Sequence, residues 1–237
     1  MPMAENPSLP STDVVTPPPL MDVVQKAMAS ITQRTTEHLG MGVWLLIDVF
    51  LLSFITVPFA ILFVIAARSR NELLLFGGMG VMLLVVIGGA LVTTSATMGA
   101  TVLAVHDDAE SGTGLGFSAV RERLGAGLRV GLPATLLNQV AVFAGTLLCY
   151  IPGLIAFAIL VPLMPIMVDR KVGAVEAAGI CWQHFRARPG WMAGLALVDF
   201  LLTFVVSMVP LVGLLLLVPI RMTLGVTAWR AIRNLPV

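Results

Sequence analysis

Residues 191–229 read WMAGLALVDFLLTFVVSMVPLVGLLLLVPIRMTLGVTAW. The stretch holds two apolar segments of about 19 residues that meet at Pro210, and a membrane-spanning helix needs about 20 apolar residues. Its only charged residues are Asp199 and Arg221, which lie 11 residues on either side of Pro210. The pattern predicts a transmembrane hairpin in which the two charged residues lie at the same depth.

The composition of the whole chain indicates an integral membrane protein. Of 237 residues, 58% are hydrophobic and 11% are charged, and the mean hydropathy is +0.98. Soluble domains carry about 25% charged residues, so a soluble chain of this size could not cover its surface. The net charge of +1 gives no support for nucleic-acid binding. Cys149 and Cys181 are expected on opposite sides of the membrane and are not expected to pair.

The rest of the chain repeats the hairpin, each time behind an amphipathic segment that is expected to lie in the membrane interface. We predict an all-α integral membrane domain over residues 20–233, after a disordered, proline-rich tail at residues 1–19. It has six transmembrane helices in three hairpin repeats, at approximately 20–98, 116–168 and 172–230. The first four spans are predicted at 41–67, 73–98, 131–150 and 153–168, and the fourth is expected to bend at Pro162 and Pro165. The amphipathic segments are predicted at 20–39, 117–130 and 169–190.

Two segments of the first half of the domain have their own predictions. The sequence VHDDAESGTGLG at 105–116 is expected to form a polar loop. The second span is rich in glycine, and small residues let transmembrane helices approach closely. We therefore expect its glycines to mark helix packing: Gly77, Gly78, Gly80, Gly88 and Gly89.

The distribution of basic residues predicts the topology. With six spans both termini lie on one side of the membrane, and the opposite side carries only Arg68 and Arg70. Because cytoplasmic loops are enriched in Lys and Arg, we expect a bacterial inner-membrane protein with cytoplasmic termini. The eleven cations on the predicted cytoplasmic side are Lys26, Arg34, Arg121, Arg123, Arg129, Arg170, Lys171, Arg186, Arg188, Arg230 and Arg233.

Two stretches carry a family resemblance. They are YIPGLIAFAILVPLMPIMVDRKVGAVEAAGICWQHFRARPGWMAGLAL at 150–197 and VPLVGLLLLVPIRMTLGVTAWRAI at 209–232. With the I-P-G turn and Asp169 at the end of the fourth span, the chain resembles the glycerophosphoryl diester phosphodiesterase membrane-domain family and related six-span bacterial inner-membrane proteins of unknown function. Arg221 and Met222 replace the aromatic residues usual in the last span. The resemblance implies an α-helical membrane protein and no activity, because the phosphodiesterase belongs to a separate catalytic domain.

The polar residues inside the predicted spans are the candidate functional site. An isolated charge near the bilayer centre costs a few kcal/mol on insertion scales, so each one needs an explanation. One interpretation is a proton or ion relay, or a site for a lipid headgroup. The other is a structural ion pair between Asp199 and Arg221 that fixes the last hairpin. The candidate residues are Asp48, Asn138, Gln139, Asp199 and Arg221.

Polar residues outside the spans suggest contacts with lipid rather than catalysis. His38 and His184 are expected to face water or headgroups. The cluster His106, Asp107, Asp108 and Glu110 is expected to be a solvated loop at a helix end rather than a metal site. No metal, cofactor or catalytic motif is predicted. A basic belt is expected to bind anionic lipid headgroups or to set topology. The belt is Arg121, Arg123, Arg129, Arg170, Lys171, Arg186 and Arg188.

Two functions remain open from the sequence. The first is a non-enzymatic scaffold or accessory subunit of a membrane assembly, which docks other membrane-protein subunits or self-associates. The alternative is a small transporter, channel or lipid-handling protein that uses Asp48, Asp199 and Arg221. A transporter requires a cavity that reaches the membrane midplane, whereas a scaffold requires a closed bundle with a large partner surface.

Overall fold

The computed structural model describes residues 16–69, 72–148 and 150–235, and within these ranges the chain is helical with no β-strand. Five helices are long and apolar enough to cross a membrane, at 35–65, 76–111, 117–148, 189–206 and 215–232. The all-helical membrane class expected from composition is therefore confirmed. The helices are α1 (Leu20–Gln33), α2 (Thr35–Ser69), α3 (Glu72–Ser111), α4 (Phe117–Leu148), α5 (Tyr150–Ile159), α6 (Leu163–Arg170), α7 (Ala174–Ala187), α8 (Pro189–Ser207) and α9 (Pro210–Ile232).

Helix α9 lies at the centre of the bundle and contacts α1, α2, α3, α6 and α8. It contributes to each of the three buried clusters of the core. Trp229 packs with α6 and α7, Val226 with α2 and α3, and Leu224 with α1 and α8. The hairpin at residues 191–229 thus supplies the helix around which the others pack.

One end of the bundle carries most of the described ion pairs, and we call it the charged end. It is formed where α1, α3, α6 and α9 end and where α4 begins. The chain runs through α5 and then α6 towards this end. Gly153 lies against Thr146 near the far end of α4, whereas Asp169 accepts a hydrogen bond from Arg233 Nη1 at 2.8 Å at the charged end.

The fourth span, predicted at 153–168 with a bend at its prolines, is interrupted rather than only bent. The helical path is interrupted at residues 160–162, between α5 and α6. Pro162 and Pro165 explain the break, because neither can donate the backbone hydrogen bond that would continue an α-helix. The fourth predicted segment is therefore two short helices in series.

Two predicted boundaries also differ from the structure. The polar loop predicted at 105–116 is helical as far as Ser111, and only 112–116 form a loop. In that loop Gly112, Gly114 and Gly116 have φ of 65°, 87° and 127°, a region that favours glycine. The second amphipathic segment and the third span are one continuous helix, α4.

The glycines that permit close packing are not the ones predicted. A methyl group built on Gly77, Gly78, Gly80 or Gly88 would meet nothing, and one on Gly89 would touch only the side chain of Leu52. One close approach, of Gly42 to the backbone of Leu215, joins α2 to α9, and the most extensive one is between α3 and α4. A methyl group on Gly99, Gly127 or Gly131 would collide with backbone atoms of the facing helix, so these two helices pack in direct contact.

Some predictions fall outside the described residues. These are residues 1–15 of the predicted tail, together with Arg70 and Cys149. The threefold repeat also stays a prediction.

Candidate functional site

Asp199 and Arg221 lie together in the middle of the bundle. Arg221 Nε donates to Asp199 Oδ1 at 2.9 Å, and Nη2 donates to Oδ2 at 2.8 Å. The carboxylate is 1% exposed, and such a bidentate pair is among the strongest hydrogen-bonded arrangements in proteins. The guanidinium also lies over the ring of Phe157, 5.5 Å from its centre. The pair therefore joins α8 to α9 and holds the Arg221 side chain in a fixed direction.

A cavity of about 180 Å³ lies beside Arg221, at the break between α5 and α6. Its walls come from α3, α4, α9 and the interrupted segment. Arg221, Asn138 and Gln139 all line it, so the structure brings together three of the five predicted residues. Its further polar or backbone-exposing lining residues are Thr94, Thr135, Val161 and Gly225.

Two polar groups of the lining lack their usual hydrogen-bond partners among the described residues. Thr135 Oγ1 is buried and has no hydrogen-bond partner among the described residues. The carbonyl of Val161 lacks its helical donor because residue 165 is proline. Irregular backbone at membrane depth is tolerated only where protein covers it or where it lines a cavity. The break between α5 and α6 lines a cavity. The cavity can accept a small ligand that forms hydrogen bonds.

Asp48 does not belong to this cavity. It accepts a hydrogen bond of 2.6 Å from Thr97 Oγ1, which joins α2 to α3, and it is absent from the cavity lining. Asp199 is also absent from the lining and contacts the site through Arg221. Three of the five predicted residues therefore line the cavity, and Asp199 contacts it through Arg221. Asp48 instead forms a hydrogen bond elsewhere in the bundle.

The acidic cluster near the end of α3 is not a solvated loop. Arg34 Nη1 donates to both oxygens of Asp108, at 2.9 and 2.8 Å, and this hydrogen bond raises the pKa of the Arg34 guanidinium. Arg123 Nε donates to Asp107 at 2.9 Å. Glu110 lies 3.3 Å from Arg233. The carboxylates at the end of α3 thus hold α1, α4 and α9 at the charged end. Among the described residues, no group of three or more His, Cys, Asp or Glu is placed to hold a metal ion.

The predicted basic belt divides into two kinds of residue. Arg123 and Arg170 lie beside the carboxylates of Asp107 and Asp169, and Arg188 is half-buried where α8 begins. The other members form no ion pair with any carboxylate of the described residues, and they are exposed. They are Arg121, Arg129, Lys171 and Arg186.

The predictions for His38 and His184 are wrong, because both side chains are buried, at 0% and 4% exposed. His38 Nδ1 contacts the carbonyl of Arg34 at 2.9 Å, and Nε2 contacts Thr223 Oγ1 at 3.3 Å. His184 packs edge-on against Trp229. Burial lowers the pKa of His184, and the nearby charges of Arg188 and Arg170 lower that pKa further.

Cys181 is fully buried in the same cluster as Trp229. Burial in apolar surroundings raises the pKa of its thiol to about 12. Because the thiolate is the reactive form, the folded protein protects this side chain from thiol reagents. Cys181 can therefore report unfolding.

Sequence reasoning missed the side of the cavity contributed by the break, including Phe157 and Val161. The available signal was the pair Pro162 and Pro165 inside a predicted span, because two prolines three residues apart interrupt a helix. Thr135 gives no signal by itself, since a threonine can hydrogen-bond its own helix. No protein-family model, curated protein or solved structure matches this chain, and the family resemblance therefore stays a prediction from the motifs.

Proposed function

We propose that the chain crosses a bacterial inner membrane six times, with both termini in the cytoplasm. The path of α5 and α6 from the far end of α4 to the charged end supports a crossing between the third and fifth spans. Six crossings put the charged end and its excess of arginine on the cytoplasmic side, in agreement with the positive-inside rule. The interface then contains α1 and α7 as the amphipathic helices of the first and third units.

We further propose that the cavity beside Arg221 lies near the middle of the membrane, and we call it the midplane cavity. The protein would then be a small, non-enzymatic transporter or lipid-handling protein that binds a polar or anionic group in this cavity. The observation that carries this proposal is the cavity beside Arg221 at the break in the fourth segment. Transporters commonly place substrate at the midplane, where discontinuous helices expose backbone groups. A closed scaffold has no need of a cavity lined by Arg221, Asn138 and Gln139 at this depth.

The dimensions of the cavity limit the ligand. Its volume of about 180 Å³ corresponds to roughly six water molecules at about 30 Å³ each. A small solute or part of a headgroup fits, whereas a whole lipid does not. Because Asp199 already neutralises Arg221, the ligand is bound by hydrogen bonds to Arg221 and Asn138 more than by net charge.

Cysteine accessibility tests whether water reaches this cavity. In a Cys149→Ser, Cys181→Ala background, Asn138→Cys places a thiol in the lining. The matched control is Leu136→Cys, since Leu136 is on the same helix two residues away, is 43% exposed and does not line the cavity. The probe is the membrane-impermeant anion methanethiosulfonate ethylsulfonate, added to proteoliposomes and followed by mass spectrometry.

We expect the thiol at position 138 to react and the thiol at 136 to stay unmodified, because a thiolate forms only where water is present. An exposed position at the charged end, Ser118→Cys, shows that the reagent is active. If position 118 reacts and position 138 does not, the cavity is closed and the transport proposal fails.

The scaffold role is the second candidate, and the outer half of the α2–α3 hairpin favours it. We use this name for residues 49–65 of α2 and 76–92 of α3, where many large apolar side chains are exposed. No residue in the most apolar windows of α2 and α3 is buried. A methyl group built on Gly77, Gly78, Gly80 or Gly88 of α3 would meet nothing among the described residues, and small residues such as glycine allow close helix–helix contact in membranes. A second copy of the chain could pack there.

Native mass spectrometry in mild detergent tests this role. We expect an oligomer that is lost in Gly78→Leu, Gly88→Leu, because leucine blocks the close approach. The control Phe50→Leu alters an exposed residue of α2 and should keep the oligomer. A wild-type protein that is monomeric in detergent and in nanodiscs would exclude self-association through this face.

A further inference from the structure

A second, larger cavity opens at the charged end, and it shares the helices α3, α4 and α6 with the midplane cavity. Its volume is about 570 Å³, within the usual range for small-molecule sites. It lies between α3, α4 and α6, one or two turns closer to the charged end than the first cavity. Its inner wall is apolar and includes Leu103, Val130 and Met167, whereas its rim is polar.

Two cations with no carboxylate partner meet at this rim. Arg129 projects from α4, and Lys171 ends α6 in the left-handed conformation, with φ of 54°. Neither forms an ion pair among the described residues, although Arg34, Arg123, Arg170, Arg221, Arg230 and Arg233 all do. The one carboxylate in the lining, Asp107, is neutralised by Arg123 at 2.9 Å. The cavity therefore carries a net positive charge.

The backbone of α7 adds to the positive electrostatic potential of this cavity. Gly173 and Ala174 line the cavity, and Gly173 is the N-cap of α7 with no side-chain hydrogen bond to the first turn. The first amide groups of a helix lack internal acceptors and favour an anion. Glu176 lies in this turn and is exposed, and no described hydrogen bond joins its carboxylate to these amides.

His106 is a further polar residue of the lining. One ring nitrogen of a neutral histidine donates a hydrogen bond and the other accepts one, and Nδ1 is buried without a hydrogen-bond partner among the described residues. Arg129, Lys171 and the first amides of α7 are hydrogen-bond donors, and a group with several acceptor oxygens satisfies them together.

We propose that this cavity binds a phosphate group, carried either by an anionic lipid headgroup or by a soluble phosphate ester. Phosphate offers negative charge and several strong acceptor oxygens, which match the donors at the rim. The apolar inner wall has room for part of the organic group attached to the phosphate. This inference stands on the second cavity and does not depend on whether the midplane cavity passes a solute.

The experiment compares two charge-removing variants of the full chain. The double variant Arg129→Gln, Lys171→Gln removes both positive charges from the cavity rim. The matched control is Arg121→Gln, Arg186→Gln, which removes two exposed, unpaired cations of the same belt that do not line the cavity. Native mass spectrometry measures binding of phosphatidylglycerol, with phosphatidylcholine as the zwitterionic reference. Isothermal titration measures binding of inorganic phosphate and glycerol 3-phosphate.

We expect the cavity variant to lose about tenfold or more in phosphatidylglycerol affinity, and the belt variant to change by less than about threefold. Arg129→Lys should restore most of the affinity lost in Arg129→Gln, because it keeps the charge. Binding of the lipid alone identifies a headgroup site, and binding of glycerol 3-phosphate or phosphate identifies a soluble ester. Equal losses in the two double variants, or no binding of any probe, overturn the proposal. An unchanged unfolding temperature excludes misfolding as the cause of a loss.

Discussion

In the outer half of the α2–α3 hairpin and in helix α9, hydropathy and burial are related in the opposite way to a soluble protein: the more apolar region is the more exposed one. The most apolar windows of α2 and α3 have mean hydropathies of 2.5 and 2.1 and are 0% buried. The corresponding window of α9 has a mean hydropathy of only 1.4 and is 56% buried. Because lipid is as apolar as a protein core, the surface that faces it needs the most apolar side chains.

The comparison also shows what holds each region together. Helix α9 is fixed by specific groups, namely the pair with Asp199, the contact of Thr223 with His38 and the hydrogen bond from Trp229 to Asp169. The outer hairpin has Phe54 at 83% exposed, and a methyl group added at Gly77, Gly78, Gly80 or Gly88 would meet nothing among the described residues. We therefore expect substitutions around α9 to be costly and those in the outer hairpin to be nearly neutral.

The largest effect is expected from breaking the central ion pair. Asp199→Ala leaves Arg221 without its partner, and an uncompensated buried charge costs about 3 kcal/mol or more. The unfolding midpoint should fall by about 10 °C for a chain of this size. The reaction of Cys181 with a fluorogenic maleimide, in a Cys149→Ser background in dodecyl maltoside, measures the midpoint.

The matched double variants separate a structural pair from a transport site. Asp199→Leu, Arg221→Met removes both charges and should recover most of the stability lost in Asp199→Ala, since apolar replacements of buried ion pairs are often neutral. If Asp199→Ala is as stable as the wild type, the pair does not hold α8 to α9, and the contrast between the two regions would need another cause.

A pair of glycine substitutions gives the next largest effect. Gly131→Ala places a methyl group against the backbone of Ser95, and overpacking of this kind costs about 1–3 kcal/mol. Gly78→Ala places the same methyl group in open space, and should stabilise the helix by less than about 1 kcal/mol. The unfolding midpoints of both variants, measured by the same thiol assay, test the contrast directly. Similar losses at the two positions would mean that the outer hairpin is packed after all.

The sequence predicted the features that depend on neighbouring residues. The hairpin around Pro210 and the depth match of Asp199 and Arg221 follow from counting residues along two apolar helices. The membrane class follows from composition. These patterns are local or symmetric, and the structure places the two charges within hydrogen-bonding distance.

The features that sequence reasoning missed depend on residues far apart in the chain. The segment HDDAE at 106–110 is helical because arginines from α1, α4 and α9 neutralise it, and local composition suggested only a loop. His38 is buried because Thr223, 185 residues away, offers it a partner. The glycine content of α3 gave no indication of which glycines face α4, since that depends on how the two helices cross. Pro162 and Pro165 did signal the break, but only the structure shows that the break borders a cavity.

A smaller effect is expected at the charged end, where the ion pairs are partly exposed. Asp108→Asn removes the charge that binds Arg34, whose side chain is 42% exposed, so the loss should be about 1 kcal/mol or less. It should shrink further at high salt because exposed charges are screened. Glu122→Gln, an exposed carboxylate with no described ion pair, is the control and should leave the midpoint unchanged at both salt concentrations. A loss that does not respond to salt would show that packing, rather than charge, holds α1 to α3.

The smallest effect is the response of stability to pH through His184. Burial, with Arg188 and Arg170 nearby, holds the pKa of His184 in the folded state below its ordinary value, so on acidification the unfolded chain takes up a proton first. Stability must then fall as pH drops through the ordinary histidine range, from about 7.5 to 5. His184→Gln removes this contribution, so its unfolding midpoint should depend less on pH than that of the wild type. Gly78→Ala is the control because it leaves His184 unchanged. Its unfolding midpoint should depend on pH as strongly as that of the wild type. An identical pH dependence in all three proteins would mean that His184 is not held neutral against Trp229.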